Sequence, residues 1–237
     1  MRIVLSTFLV LSAFLLVAPA TPSWAQTTPP PDQSGAFAYK PPLRGAPARR
    51  VGGATRGSGD TGLVLNVLAP EQTGLTTKAQ PTLYWFASRP STTTIELTVI
   101  SDTAELPVLS KNLTESPGGV QSIDLARLGV TLAPDTDYEW FVSVVSDAKQ
   151  RSKDVTSGGT IRRVAADPAV LARVAAASER ELPRIYAEAG LWYDAIGALS
   201  RLIERNPADT ELRNWRAALL DQIGLQTVAA QDRSTTR

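Results

Sequence analysis

The chain has no cysteine and no histidine among its 237 residues. Those two absences remove thiol nucleophiles, Ser-His-Asp triads, imidazole zinc sites and haem ligation through either side chain. Disulfide staples are excluded too, so stability has to come from a buried core. A chain of this length can supply that in one or two domains. An excess of one charge sign is also missing, because 24 basic residues face 23 acidic ones. That balance argues against a general nucleic-acid binder, whose phosphate contacts require a clear basic surplus.

A long hydrophobic run is lacking as well. The mainly apolar stretch 3–18 is about 16 residues long, whereas a membrane-spanning helix needs roughly 20. Arg2 precedes it and Ser23-Trp24-Ala25 closes it, which are the three regions of a secretory signal peptide with cleavage expected after Ala25. No cysteine follows that could be acylated. The expected mature protein is periplasmic or secreted, without stable membrane insertion. Removing residues 1–25 takes away Arg2 alone among the charged residues, which leaves 23 basic against 23 acidic side chains.

What remains divides into three parts and a tail. Residues 26–62 carry Pro29-Pro30-Pro31, Pro41-Pro42 and Gly52-Gly53 with no hydrophobic period, and read as an extended arm. The arm holds Lys40, Arg44, Arg49, Arg50 and Arg56 against Asp32 and Asp60. Arg44, Arg49, Arg50 and Arg56 are therefore candidate ligands for an anionic partner, an envelope protein or another anionic envelope component. Two alternatives are a solvated linker and an internal latch onto acidic residues such as Asp124, Asp135 or Asp154. A phosphate loop is a poor match, since Gly52 to Gly59 lacks the Gly-Lys-Ser/Thr ending.

Residues 63–164 show short β-rich runs separated by turn residues, the pattern of a sandwich. Strands are predicted at 63–68, 82–87, 94–100, 120–125, 138–145 and 160–164, with a weaker one around Val108. Period two places Leu83, Trp85 and Ala87 on one face, Ile95, Leu97 and Val99 on another, and Tyr138, Trp140, Val142 and Val144 on a third. Trp85 and Trp140 are expected to face each other in the core. The segment Leu132-Ala133-Pro134-Asp135-Thr136-Asp137-Tyr138-Glu139-Trp140 resembles the corner before the sixth strand of fibronectin type III domains. That resemblance implies that Tyr138 is a tyrosine corner bonded to upstream backbone.

Residues 165–226 are Ala-rich and helical, opening on Asp167-Pro168, an N-cap followed by proline at the first helical position. Val170, Leu171 and Val174 form the apolar stripe of the first helix. Gly190-Leu191 and Gly224-Leu225 stand 34 residues apart, the period of tetratricopeptide repeats. Gly190, Ala195 and Pro207 fall at that motif's glycine, alanine and proline positions, while Leu202 replaces its usual small residue. One repeat and a fragment cannot bury a solenoid core alone, so three or four helices packed on the sandwich are expected. Residues 227–237 read as a disordered tail.

The basic arm, the Tyr-x-Trp strand and the Gly-Leu-Trp-Tyr-Asp-Ala turn together resemble the bacterial domain-of-unknown-function family numbered nine hundred and twenty-eight, found chiefly in cyanobacteria. The resemblance covers about residues 41–225. It implies no catalytic residue, because that family has no established activity. The fold class is thus a fibronectin- or immunoglobulin-like β-sandwich followed by a small helical segment. The expected function is a non-enzymatic binding or scaffold module of the envelope, with no cofactor and no metal. The alternative is a hydrolase built on paired carboxylates or a Ser-Lys arrangement. Asp135, Asp137 and Glu139 are close enough in sequence to be considered for it, but they alternate with core residues on a strand.

Overall fold

The computed structural model describes residues 38–42, 50–51, 53–54 and 63–235. The signal segment and Arg44, Arg49 and Arg56 lie outside the described residues.

Two described residues of the arm form β1 (Gly53–Ala54). The alternating runs that follow give β2 (Val64–Val67), β3 (Gly74–Thr76), β4 (Thr82–Ala87), β5 (Ile95–Ser101), β6 (Leu109–Leu113), β7 (Gly119–Asp124), β8 (Asp137–Val144) and β9 (Val155–Arg163). They make two sheets, β1-β2-β4-β7 and β3-β9-β8-β5-β6. Lettering β2, β4 and β7 as A, B and E, and β5, β8 and β9 as C, F and G, reproduces the neighbour order of an immunoglobulin-like sandwich. β3 is the exception to antiparallel pairing, running parallel to β9. It is too short to show an alternation and is absent from the sequence-based strands.

The core faces follow period two on β5 and β8, where Ile95, Leu97, Val99, Tyr138, Trp140, Val142 and Val144 are buried. Trp85 and Trp140 lie in opposite sheets, and both are buried. The indole of Trp140, however, turns its N–H to the helical layer rather than serving the sandwich alone. At the corner before β8, the Tyr138 hydroxyl accepts a hydrogen bond from Ala133 N at 2.9 Å. On β4 the alternation fails, because Tyr84 and Phe86 are as buried as Leu83, Trp85 and Ala87. A strand buried on both faces needs a second layer over the sheet, and the helices provide it.

Five helices follow: α1 (Pro168–Ala176), α2 (Leu182–Glu188), α3 (Trp192–Arg205), α4 (Thr210–Gln222) and α5 (Gln226–Ser234). Asp167 caps α1 by accepting from Ala169 N at 2.7 Å, and Asp209 caps α4 by accepting from Glu211 N and Leu212 N. α3 packs against β3 and β4 on one side and against α2 and α4 on the other. That two-sided contact explains why even its Asp194 and Ser200 are buried. Three expectations change here. Five helices form where three or four were expected. The stripe on α1 does not enter the core: none of its residues is buried, and Leu171 is 53% exposed. Residues 227–234, expected as disordered, belong to α5, which buries Val228, Ala229 and Asp232 against the preceding helix.

Candidate functional site

Three consecutive residues at the start of α3 bolt the helices to the sandwich. Trp192 Nε1 donates to Leu68 O at 2.8 Å. Trp140 Nε1 donates to Tyr193 Oη at 2.9 Å, and that hydroxyl donates onward to Thr160 O at 3.0 Å. Asp194 accepts from Thr77 N at 2.7 Å and from Thr77 Oγ1 at 3.2 Å. The stretch that reads in the sequence as a repeat turn is therefore the joint between the two layers. Ala195 is buried next to it, and Pro207 follows the end of α3.

The described arm residues fasten the same joint from outside. Tyr39 N donates to Gln222 Oε1 at 2.8 Å, and the Tyr39 ring meets Trp192 edge-on with centroids 4.9 Å apart. Lys40 N donates to Ala187 O at 3.1 Å. Gly190 and Gly224 both take left-handed backbone angles, φ +75° and +77°, as a residue closing a helix does. At Gly190 a Cβ would lie 2.8 Å from Lys40 O, so the arm's approach demands glycine a second time. Farther on, Val51 exchanges backbone hydrogen bonds with Gly158, and β1 pairs antiparallel with β2.

Arg50 is the one described member of the four candidate arginines, and its side chain is 10% exposed. Its Nη1 donates to Ala69 O at 3.0 Å and to Ile223 O at 2.8 Å, while Nη2 stands 4.0 Å from Glu71. It thus ties the sandwich to the end of α4. Its acidic neighbour is Glu71, whereas Asp154 is held by Arg151 and Asp124 accepts from Ala126 N.

Asp194 is the buried carboxylate of the joint. Desolvation raises its pKa above the ordinary aspartate value, and the Thr77 hydrogen bonds and nearby Lys78 oppose the rise without cancelling it. The sign follows from proton linkage: from about pH 4 upward the unfolded chain releases this proton before the folded chain does, so stability falls as pH rises. Most salt-bridged carboxylates do the opposite. The stability of the parent relative to Asp194→Asn should therefore be greater at pH 4 than at pH 7, measured by urea melts at both values. A parent advantage that grows with pH would contradict the assignment.

Recesses open on this body, and two of them bear on function. One is a cleft of about 440 Å³ between the four-stranded sheet and the ends of α3, α4 and α5, lined by Tyr84, Phe86, Gln121, Glu204, Arg213 and Arg216 among others. In its wall Arg216 grips Asp232 with two hydrogen bonds of 2.7 and 2.6 Å and donates to Ser200 Oγ at 3.1 Å. The other is a groove of about 650 Å³ bordered by α1, α2 and α4, where the Arg180 guanidinium lies 4.7 Å from the Trp215 ring centre. Sequence reading passed over Arg213, Arg216 and Asp232. A signal was present, since Arg216 interrupts the apolar stripe Leu212, Leu219 and Leu220 of α4.

The carboxylates considered for hydrolysis do not converge. Asp137 is paired with Arg162, Asp135 and Glu139 are exposed, and none of the three lines the cleft or the groove. No helix among the described residues is long and apolar enough to cross a membrane.

A β-sandwich with a packed helical layer, strapped by its own N-terminal arm, is the class of protein that these features define. The chain belongs to the family described as Domain of Unknown Function (DUF928), which matches residues 51–233. No curated protein matches it.

Proposed function

We propose that the protein is an exported, non-enzymatic binding or scaffold module of the cell envelope, whose basic arm engages an anionic partner. The observation that carries this reading is Arg50. By bonding Ala69 O and Ile223 O it anchors the arm at the junction of sandwich and helices, between Arg44 and Arg49 on one side and Arg56 on the other. An arm anchored at a rigid joint loses less conformational freedom on binding than a free linker does, which favours recognition. The reading of residues 1–25 as a secretory signal supports a partner in the envelope.

The arginines then divide into two roles, and substitution separates them. Arg50→Ala should lower the melting temperature, because it leaves two carbonyls without their shared donor. The triple change Arg44→Ala, Arg49→Ala and Arg56→Ala should leave the melting temperature in place and abolish association with envelope fractions in sedimentation assays. Parent association should weaken steeply with salt, since exposed charges are screened over about 8 Å at physiological ionic strength. Unchanged association of the triple variant would refute the proposal.

A further inference from the structure

The sheet–helix cleft carries chemistry that neither the joint nor the arm uses. Its lining includes the guanidinium groups of Arg213 and Arg216 and the carboxylates of Glu204 and Asp232. The charges are unevenly matched. Asp232, with a side chain 2% exposed, accepts one hydrogen bond on each oxygen from Arg216, at 2.6 and 2.7 Å, and so serves two guanidinium groups with one negative charge. Arg213 reaches the same carboxylate only at 3.6 Å. Its remaining contact is a 3.3 Å hydrogen bond from Nη2 to Pro207 O, and its Nε is buried without a hydrogen-bond partner. The Arg213 side chain is nevertheless only 11% exposed. A guanidinium this far from water, which shares its nearest anion with a second guanidinium and has an unbonded Nε, has charge to spare for another oxyanion.

The rest of the lining indicates what the oxyanion is attached to. Gln121 Nε2 donates to Gly118 O, which orients the amide and leaves its oxygen to accept. Ser88 and Ser122 add hydroxyls to the lining, and Tyr84 and Phe86 add aromatic rings. Burial pushes the Tyr84 hydroxyl up to about 12, so it stays a neutral donor. A volume of about 440 Å³ lies within the range of about 300–1,000 Å³ typical of small-molecule sites. Neutral hydrogen-bonding groups on one wall and a guanidinium on the other suit a small hydroxylated molecule with one negative group.

We infer that this cleft binds a sugar-sized, hydroxylated ligand through a single carboxylate or phosphate group anchored by Arg213, with Arg216 and Asp232 holding the wall in place. The site is independent of the arm and stands whether or not the arm contacts a partner.

Isothermal titration of the full mature chain with glucuronate, glucose 6-phosphate and glucose tests it. At least one anion should bind about tenfold or more tightly than glucose, and the stronger of the two identifies the group as carboxylate or phosphate. Arg213→Lys should weaken that anion about tenfold, because lysine keeps the charge and loses the fork. Arg213→Gln should abolish its binding. Ser122→Trp, at an exposed position of β7 on the cleft wall, should abolish binding with the melting temperature unchanged, and it decides the matter if Arg213→Gln fails to fold. Anions that bind no better than glucose, or anion binding that survives Ser122→Trp, would overturn the inference.

Discussion

Trp140→Ala is expected to cost roughly 3–5 kcal/mol of folding stability, the range for deleting a large buried aromatic. Trp140 has 0% exposure and lies on β8 opposite Val99 of β5 and Gly159 of β9. Its loss opens a cavity in the middle of the five-stranded sheet. It also removes the donor to Tyr193 Oη, the step that links the sandwich core through Tyr193 to Thr160 O. Trp85→Ala should fall in the same range of about 3–5 kcal/mol on area alone. Phenylalanine separates the two sites. Trp85 Nε1 is buried with no hydrogen-bond partner, so Trp85→Phe discards a donor that was unsatisfied. Trp140→Phe discards one that was bonded, and should cost about 1 kcal/mol more. Urea melts of the two phenylalanine variants measure the difference, and equal costs would mean that the Trp140–Tyr193 link contributes nothing.

The layers of this fold were legible in the sequence where one face of an element meets the core and the other meets water. β5 and the first part of β8, up to Val142, alternate because their outer faces are less buried than their inner ones, and Asp167-Pro168 marks the start of α1 through capping chemistry that needs no tertiary context. Legibility ended where a third element intervenes. Tyr84 and Phe86 look like an outer face of β4 until the helices cover them. The strand predicted at 160–164 leaves out the first half of β9, where Ser157-Gly158-Gly159 carry no apolar alternation. Gly158 is small because a Cβ there would come within 2.3 Å of the Phe141 ring, a cross-strand contact that spacing does not reveal. The 34-residue recurrence of Gly-Leu was real as helix-closing geometry. It could not show that Trp192, Tyr193 and Asp194 face the sandwich, since those contacts span 33 to 124 positions along the chain. The cleft was least legible, being assembled from β4, β7 and the ends of three helices.

Asp232→Ala is expected to destabilise the protein by roughly 3–5 kcal/mol, the cost of leaving one member of a buried ion pair uncompensated. The side chains of Arg216 and Asp232 are 5% and 2% exposed, so water cannot replace the lost partner. Arg216 would keep only the Ser200 hydroxyl at 3.1 Å as a hydrogen-bond acceptor among these contacts. The damage should concentrate in α5, whose attachment rests on Val228, Ala229 and Asp232. Amide hydrogen exchange should then accelerate across residues 226–234 more than in β5 or β8. Forming such a pair and breaking it are different quantities, because desolvating two charges consumes most of their attraction. The double change Arg216→Met with Asp232→Leu should therefore recover most of the loss, even though it deletes both charges. A double variant as unstable as Asp232→Ala would show that stranding Arg216 does not set the cost, which then lies with Arg213, whose anion at 3.6 Å is also lost, or with shape and volume. An Asp232→Ala cost below about 1 kcal/mol would place the pair in the regime of solvent-screened surface bridges, and α5 would have to be held by its apolar contacts alone.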